Sequence, residues 1–270
     1  MAIWLTEDFL NVELGLALWA LSYWMPLRRF TASSEFVWDL FAAVCTALFA
    51  LGVTMLLDDA YDWAVQFDWL ARWQEIIASQ SPWFLLALNI VCVDFAAYWG
   101  HRLLHTRFFW FSHAWHHSPR VLYWLSGLRG SPLHILLLYG PATLVFIFVP
   151  TPTVGAVALV TTVIDVLNQH FIHSSIRVPL ARQIEWLFVT PRYHFVHHST
   201  TLTRANSNYG FIFSCWDRMF GTYTNPATVP ADDPLGLGYE DNRWKMLLGL
   251  PAWPTRASGA NYVTDPGRPE

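Results

Sequence analysis

The sequence predicts an all-α fold, a polytopic bundle of membrane helices carrying a histidine-rich helical cap on its cytoplasmic side. Three observations lead there. Of 270 residues 54% are hydrophobic and 13% charged, about half the charged fraction of an ordinary soluble domain, and the mean hydropathy is +0.30. Apolar runs long enough to cross a bilayer recur along the first hundred residues of the chain. Ten of the eleven histidines fall into four tight clusters at helical spacing.

The first apolar run, at 9–27, follows acidic Glu7 and Asp8 where a secretory signal would be basic, and reads as a retained anchor. The runs at 36–57 and 82–100 follow, and at 1.5 Å per residue all three can cross a hydrocarbon core of about 30 Å. A shorter pair, 133–149 and 153–168, is separated by Pro150-Thr151-Pro152 and either spans or dips and returns. Both choices leave the loops at 28–35, 101–132 and everything after 169 on one side. Fifteen of the sixteen Lys and Arg residues lie there, and Arg72 alone lies opposite, beside an acidic loop at 58–81. The positive-inside rule makes the histidine side cytoplasmic.

Ser81-Pro82 predicts the N-cap and first turn of a helix running through Asp94 to the HRLLH cluster, His101 and His105. Ser112 is a candidate cap for HAWHH, which carries His113, His116 and His117. His170 and His173 share one face in HFIH, and Thr190-Pro191 starts the helix of HFVHH, with His194, His197 and His198. The segment from Asn206 to Thr222 reads as a packed cap anchored by Trp216, Asp217 and Arg218. From 223 the chain, rich in Pro, Gly and Asp, reads as an irregular extension with one apolar patch at Met246 to Leu250.

Each cluster is a helical claw for metal, because HxxxH sets two imidazoles on one face and HxxHH adds a third ring beside them. Roughly four to six ligands satisfy one transition ion, so ten imidazoles suit two ions. HRLLH lacks the glutamate of HExxH, and no ExxH occurs, which argues against a zinc protease and a carboxylate-rich di-iron bundle. A neutral ligand set around two divalent ions calls for nearby anions, and Asp94 and Asp165 are candidate outer acceptors for imidazole N–H groups. The lone His134 reads as a hydrogen-bonded interfacial residue. Cys45, Cys92 and Cys215 form no disulfide or zinc pattern, and a net charge of -4 offers no field for nucleic acid.

Taken in order, DFAAYWGHRLLH, HAWHHS, HFIHSSIRVP, VTPRYHFVHHS and NYGFIFSCWDRMFGT, within about residues 89–222, resemble the membrane-bound fatty acid hydroxylase/sterol desaturase superfamily. The resemblance implies a non-haem di-iron enzyme, with two Fe ions and O2 as co-substrate, that hydroxylates or desaturates a membrane lipid. It implies ligands at His101, His105, His113, His116, His117, His173, His194, His197 and His198, with His170 added. It divides the chain into anchor helices with an acidic loop at 1–80, a catalytic region at 81–222 and an extension at 223–270. With no evident haem or flavin domain, electrons are expected from a separate donor, a cytochrome b5- or ferredoxin-type reductase system. Imidazole sites also accept zinc, which heterologous loading can substitute for iron. Where the family often carries an HPxE-like element, this chain reads Ser131-Pro132-Leu133-His134. The competing readings are a membrane metal-binding or transport protein and a zinc hydrolase; metal content with oxygen uptake separates the three.

Overall fold

The computed structural model describes residues 2–28, 35–149, 164, 167–239 and 242–251, with the backbone alone for 2–11 and 143. The expected turn at Pro150-Thr151-Pro152, most of the run at 153–168, and Asp165 lie outside the described residues. Within them the chain is helical, with isolated bridges and no strand.

The N-terminal helix α1 spans Ala2–Trp24 and α2 spans Phe36–Ala64. Helix α2 is 29 residues long, about 44 Å, and only 6% of its apolar window is buried. Its apolar surface therefore needs a non-aqueous surround. Helix α4, Pro82–Leu104, is the second one long and apolar enough to cross a membrane, and α6, Pro132–Phe148, is a shorter apolar helix. Helix α6 packs against both α4 and α2.

The acidic stretch at 58–81, expected as a loop, is mostly helical. Helix α2 continues to Ala64, and α3 covers Asp68–Ala78 with Leu70 buried. The run from Asp68 to Ala78 is amphipathic at helical spacing, and its polar and aromatic side chains dock on the end of α6. Trp73 Nε1 donates to the Phe148 carbonyl at 2.8 Å and Gln74 Nε2 to the Ile147 carbonyl at 2.7 Å, satisfying acceptors that a helix C-terminus leaves open.

The cap is built from short helices: α5 (Trp110–His117), α7 (167–173), α8 (Ala181–Ile184), α9 (Pro191–His197), α10 (Leu202–Ala205) and α11 (Cys215–Met219). Pro191 starts α9 as expected, with the Thr190 side chain accepting from the Tyr193 amide. Helix α5 begins earlier than expected. Phe109 is its N-cap, and Ser112 sits inside the helix, its hydroxyl donating to the Phe109 carbonyl. The C-terminal extension also holds more order than its composition suggests: α12, Arg243–Leu247, is capped by Asn242 and packs Met246 and Leu247 against Trp115 of α5.

The junction of bundle and cap is a buried ion network. Arg129, 2% exposed, donates from Nε to Asp39 Oδ1 at 2.6 Å and pairs through Nη2 with Glu35 at 2.9 Å. Asp39, 1% exposed, also accepts from the Tyr123 hydroxyl at 2.6 Å. Removing one member of a buried pair strands the other charge, so Arg129→Met is expected to destabilise the fold by about 3–5 kcal/mol. Thermal unfolding in detergent measures this; a loss within about 1 kcal/mol would show that the network contributes little.

Candidate metal centre

Nine of the ten predicted imidazoles converge at the junction of α4 with the cap. His101, His105, His113, His117 and His197 form one group and His116, His173, His194 and His198 a second, with the ligand-capable atoms of each group within 4.8 Å of one another. All nine side chains are buried.

Helix geometry explains the partition. From a first histidine, the residue at i+4 is rotated about 40° one way and that at i+3 about 60° the other. In HAWHH the i, i+4 pair His113 and His117 enters the group of five, while His116 at i+3 crosses to the group of four. In HFVHH the i, i+4 pair His194 and His198 enters the group of four, and His197 crosses to the group of five. The two triplets thus exchange their middle members, and each helix contributes to both groups.

Most outer nitrogens are held so that Nε2 faces inward. His101 Nδ1 donates to the Tyr209 carbonyl at 2.9 Å, His197 Nδ1 to Ser207 at 2.8 Å, His116 Nδ1 to Arg129 at 3.2 Å and His173 Nδ1 to Gln169 at 2.8 Å. His105 Nδ1 donates to Asn206 Oδ1 at 3.2 Å. A carbonyl accepts only from an N–H, so these contacts fix the tautomer and leave the Nε2 lone pair for a metal.

The inward nitrogens face one another at metal-ligand separations. His113 Nε2 stands 3.1 Å from His101 Nε2 and 3.2 Å from His117 Nε2. His173 Nε2 lies 3.2 Å from His116 Nε2 and 3.0 Å from His194 Nε2, which is 3.1 Å from His198 Nε2. Two imidazole nitrogens on one ion at about 2.1 Å stand about 3.0–3.4 Å apart at octahedral or tetrahedral angles. Buried His105 Nε2 and His197 Nε2 have no hydrogen-bond partner among the described residues. The donor set therefore fits one transition ion per group.

Burial holds these imidazoles neutral. It pushes His113, His116, His117, His194, His197 and His198 well below the usual histidine range, and His173 down to about 4. Groups whose folded pKa is depressed take up protons only on unfolding, so stability is present above about pH 6.5 and lost as pH falls toward the folded values. The metal-free protein is expected to lose stability progressively as pH falls below about 6.5. Thermal midpoints in detergent between pH 7.5 and 5 should fall steeply; a flat profile would mean that these imidazoles are not buried together.

Two predicted residues sit differently. His170 joins neither group: its ring packs edge-on against Trp124 at 5.5 Å and meets the Trp124 backbone. Asp94 meets no imidazole in its hydrogen bonds among the described residues. Its carboxylate accepts from the amides of Ile212 at 2.8 Å and Phe213 at 3.0 Å and from Trp216 Nε1 at 2.8 Å. It sits two turns down α4 from His101, where those amides are the donors within reach, so it steadies the segment carrying the Tyr209 carbonyl. Asp217 does the same from α11, accepting from the Tyr209 amide at 2.8 Å and the Gly210 amide at 2.9 Å, as expected of a packed cap. Asp165 lies outside the described residues.

His134 is part of the site rather than of an interface. It is 6% exposed, and its Nδ1 lies 2.7 Å from His113 Nδ1. The signal in the sequence was Ser131-Pro132, the same cap-proline start that opens α9 just before His194. Next to the centre is a cavity lined by His101, His113, His116 and His134 together with Thr46, Leu138 and Phe211.

The family model for fatty acid hydroxylase matches residues 86–222, half of the chain. The ornithine lipid hydroxylase OlsE of Rhizobium tropici is 29% identical over 183 residues, covering 67% of this chain and 53% of that protein. The alkylglycerol monooxygenase of Homo sapiens is 34% identical over 147 residues, 53% of this chain and 31% of that protein. The very-long-chain aldehyde decarbonylase GL1-11 of Oryza sativa subsp. indica is 30% identical over 169 residues, 61% of this chain and 60% of that protein. The chain thus spans about half of the first relative's length and a smaller part of the second's. No solved structure matches.

Proposed function

The chain belongs to the fatty acid hydroxylase family, and from that premise we propose that it is a membrane-embedded di-iron oxygenase that hydroxylates or desaturates a lipid. The observation that carries the proposal is the pair of adjoining all-imidazole groups, five and four, at the end of an apolar helix. Relatives named for ornithine lipid hydroxylation and alkylglycerol oxygenation support a lipid as substrate. Iron bound there would supply the capacity to activate O2 and to remove hydrogen from an unactivated C–H bond.

The chain's own residues hold and shape that site. His101, His105, His113, His117 and His197 would hold one ion, and His116, His173, His194 and His198 the other. The carbonyls of Tyr209, Ser207, Arg129 and Gln169 lock the rings from outside. The His134 imidazole takes the place of such a carbonyl for His113. The cavity between Thr46, Leu138 and Phe211 would admit an acyl or alkyl carbon beside the imidazoles. Electrons would come from a separate cytochrome b5- or ferredoxin-type system. The arginine distribution supports a polytopic arrangement with the site on the cytoplasmic side.

Lipid mass spectrometry of cells with and without the active protein tests the reading. The expected result is a lipid gaining one oxygen or losing two hydrogens; unchanged lipid masses across a broad extract, with both ions bound and electrons delivered, would leave only metal binding.

A further inference from the structure

We propose that the cap carries a membrane-inserted wedge, made by residues 184–188 and 211–220, that extends the lipid-facing surface of α4 into the leaflet on the histidine side. The inference rests on the reading of α4 as a membrane span.

Depth comes first. Asp94 lies seven residues before His101, about 10 Å down α4, inside its apolar stretch. Its carboxylate binds the amides of Ile212 and Phe213 and the Trp216 indole, so the cap descends alongside the span to that level. Residues 187–189 descend with it: the Ser214 amide donates to the Leu187 carbonyl at 2.9 Å and the Val189 amide to the Ile212 carbonyl at 2.8 Å.

The surface is continuous. Phe95, 38% exposed on α4, meets the Trp216 ring at 5.1 Å and the Phe220 ring at 6.0 Å. Trp99, also exposed, meets Phe220 at 5.1 Å. Phe213 links Trp216 to Phe188. Beyond these rings Trp186 is 72% exposed and Met219 66%, with Leu187 and Phe188 open beside them. Such a patch in water would be an aggregation liability, whereas against acyl chains it continues the face of α4.

The polar groups are arranged for the same surround. Irregular backbone at membrane depth is tolerated only where protein satisfies it. Here the Glu185 carbonyl accepts from Ser214 Oγ at 2.8 Å and from Arg218 Nη2 at 2.7 Å, and the buried Glu185 carboxylate pairs with Arg192. Arg218 lies over the Trp186 ring at 5.2 Å, and exposed Arg182 precedes Ile184 by two residues in the chain, as expected where long cations reach from an apolar surface to anionic headgroups. Asp94 then has a specific task in an apolar helix, that of satisfying wedge amides that lipid cannot.

The test uses the full chain in phosphatidylcholine–phosphatidylglycerol vesicles containing a phospholipid with an acyl-chain diazirine. After irradiation, adducts are mapped by peptide mass spectrometry, with a water-borne diazirine in a parallel sample. The expected result is lipid adducts on Trp186, Leu187, Phe188 and Met219 as well as on Phe95 and Trp99, with aqueous labelling of the wedge at least about tenfold below that of exposed Leu202. Lipid adducts on α2 and α4 combined with aqueous labelling of 186–188 would overturn the wedge alone and assign the patch to a protein partner. No lipid adduct on α2 or α4 would overturn the membrane-span reading, and the wedge with it.

Discussion

His197→Ala is expected to lose the ion of the five-histidine group and to reduce lipid oxidation by more than about 100-fold, since removing an inner ligand costs more than the 10–100-fold typical of outer partners. The imidazole removed is one whose Nε2 is buried with no hydrogen-bond partner among the described residues, in a group drawn from α4, α5 and α9. His134→Ala should act more mildly, within about 10–100-fold, because it leaves all nine inward nitrogens and removes the contact to His113 Nδ1 with the ring packing on His113 and His116. Metal analysis by mass spectrometry and oxygen uptake on the two variants check the pair. Loss of both ions in His134→Ala with full occupancy in His197→Ala would show that the ligand assignment is wrong.

A second large effect is expected at a position with no chemistry of its own. A Cβ at Gly127 would overlap the His173 ring, reaching its Cβ at 2.7 Å and its Nδ1 at 2.8 Å. Gly127→Ala must therefore push that ring off its bond to the Gln169 carbonyl and away from His116 and His194. The expected outcome is an empty four-histidine group beside a retained five-histidine group, close to one ion per chain, with oxidation abolished. Gly52→Ala, where a Cβ meets nothing within 4 Å, should keep two ions. Equal metal content in the two variants would contradict this geometry.

The helices that carry the histidines were legible because their signals are local. Ser81-Pro82 and Thr190-Pro191 fix helix starts through backbone preferences of one or two residues, and both appear where expected. The pairing of His113 with His117 and of His194 with His198 follows from helical period alone. Tertiary placement decides the rest. Whether His116 and His197 join their own pairs or cross over depends on which helix lies beside each face. His170 and His173 share a helix, yet Trp124 takes up the first and the Gln169 carbonyl orients the second. Asp94 pointed to an anion requirement in an apolar helix, but the amides that satisfy it come from more than a hundred residues further along the chain. The α3 helix, by contrast, follows from its own sequence, in which Leu70, Trp73 and Ile77 fall at helical spacing although the acidic residues around them suggest a loop.

The central claim, that two adjoining imidazole groups hold two irons for oxygen-dependent lipid chemistry, is tested most directly by the fate of labelled dioxygen. Purified, iron-loaded protein is incubated with a lipid extract, a reductase system and 18O2, beside His197→Ala as control. The account predicts 18O in a lipid hydroxyl, or 18O in water with a new lipid double bond, and neither with the variant. Unlabelled, unchanged lipids from protein holding two irons and receiving electrons would contradict it.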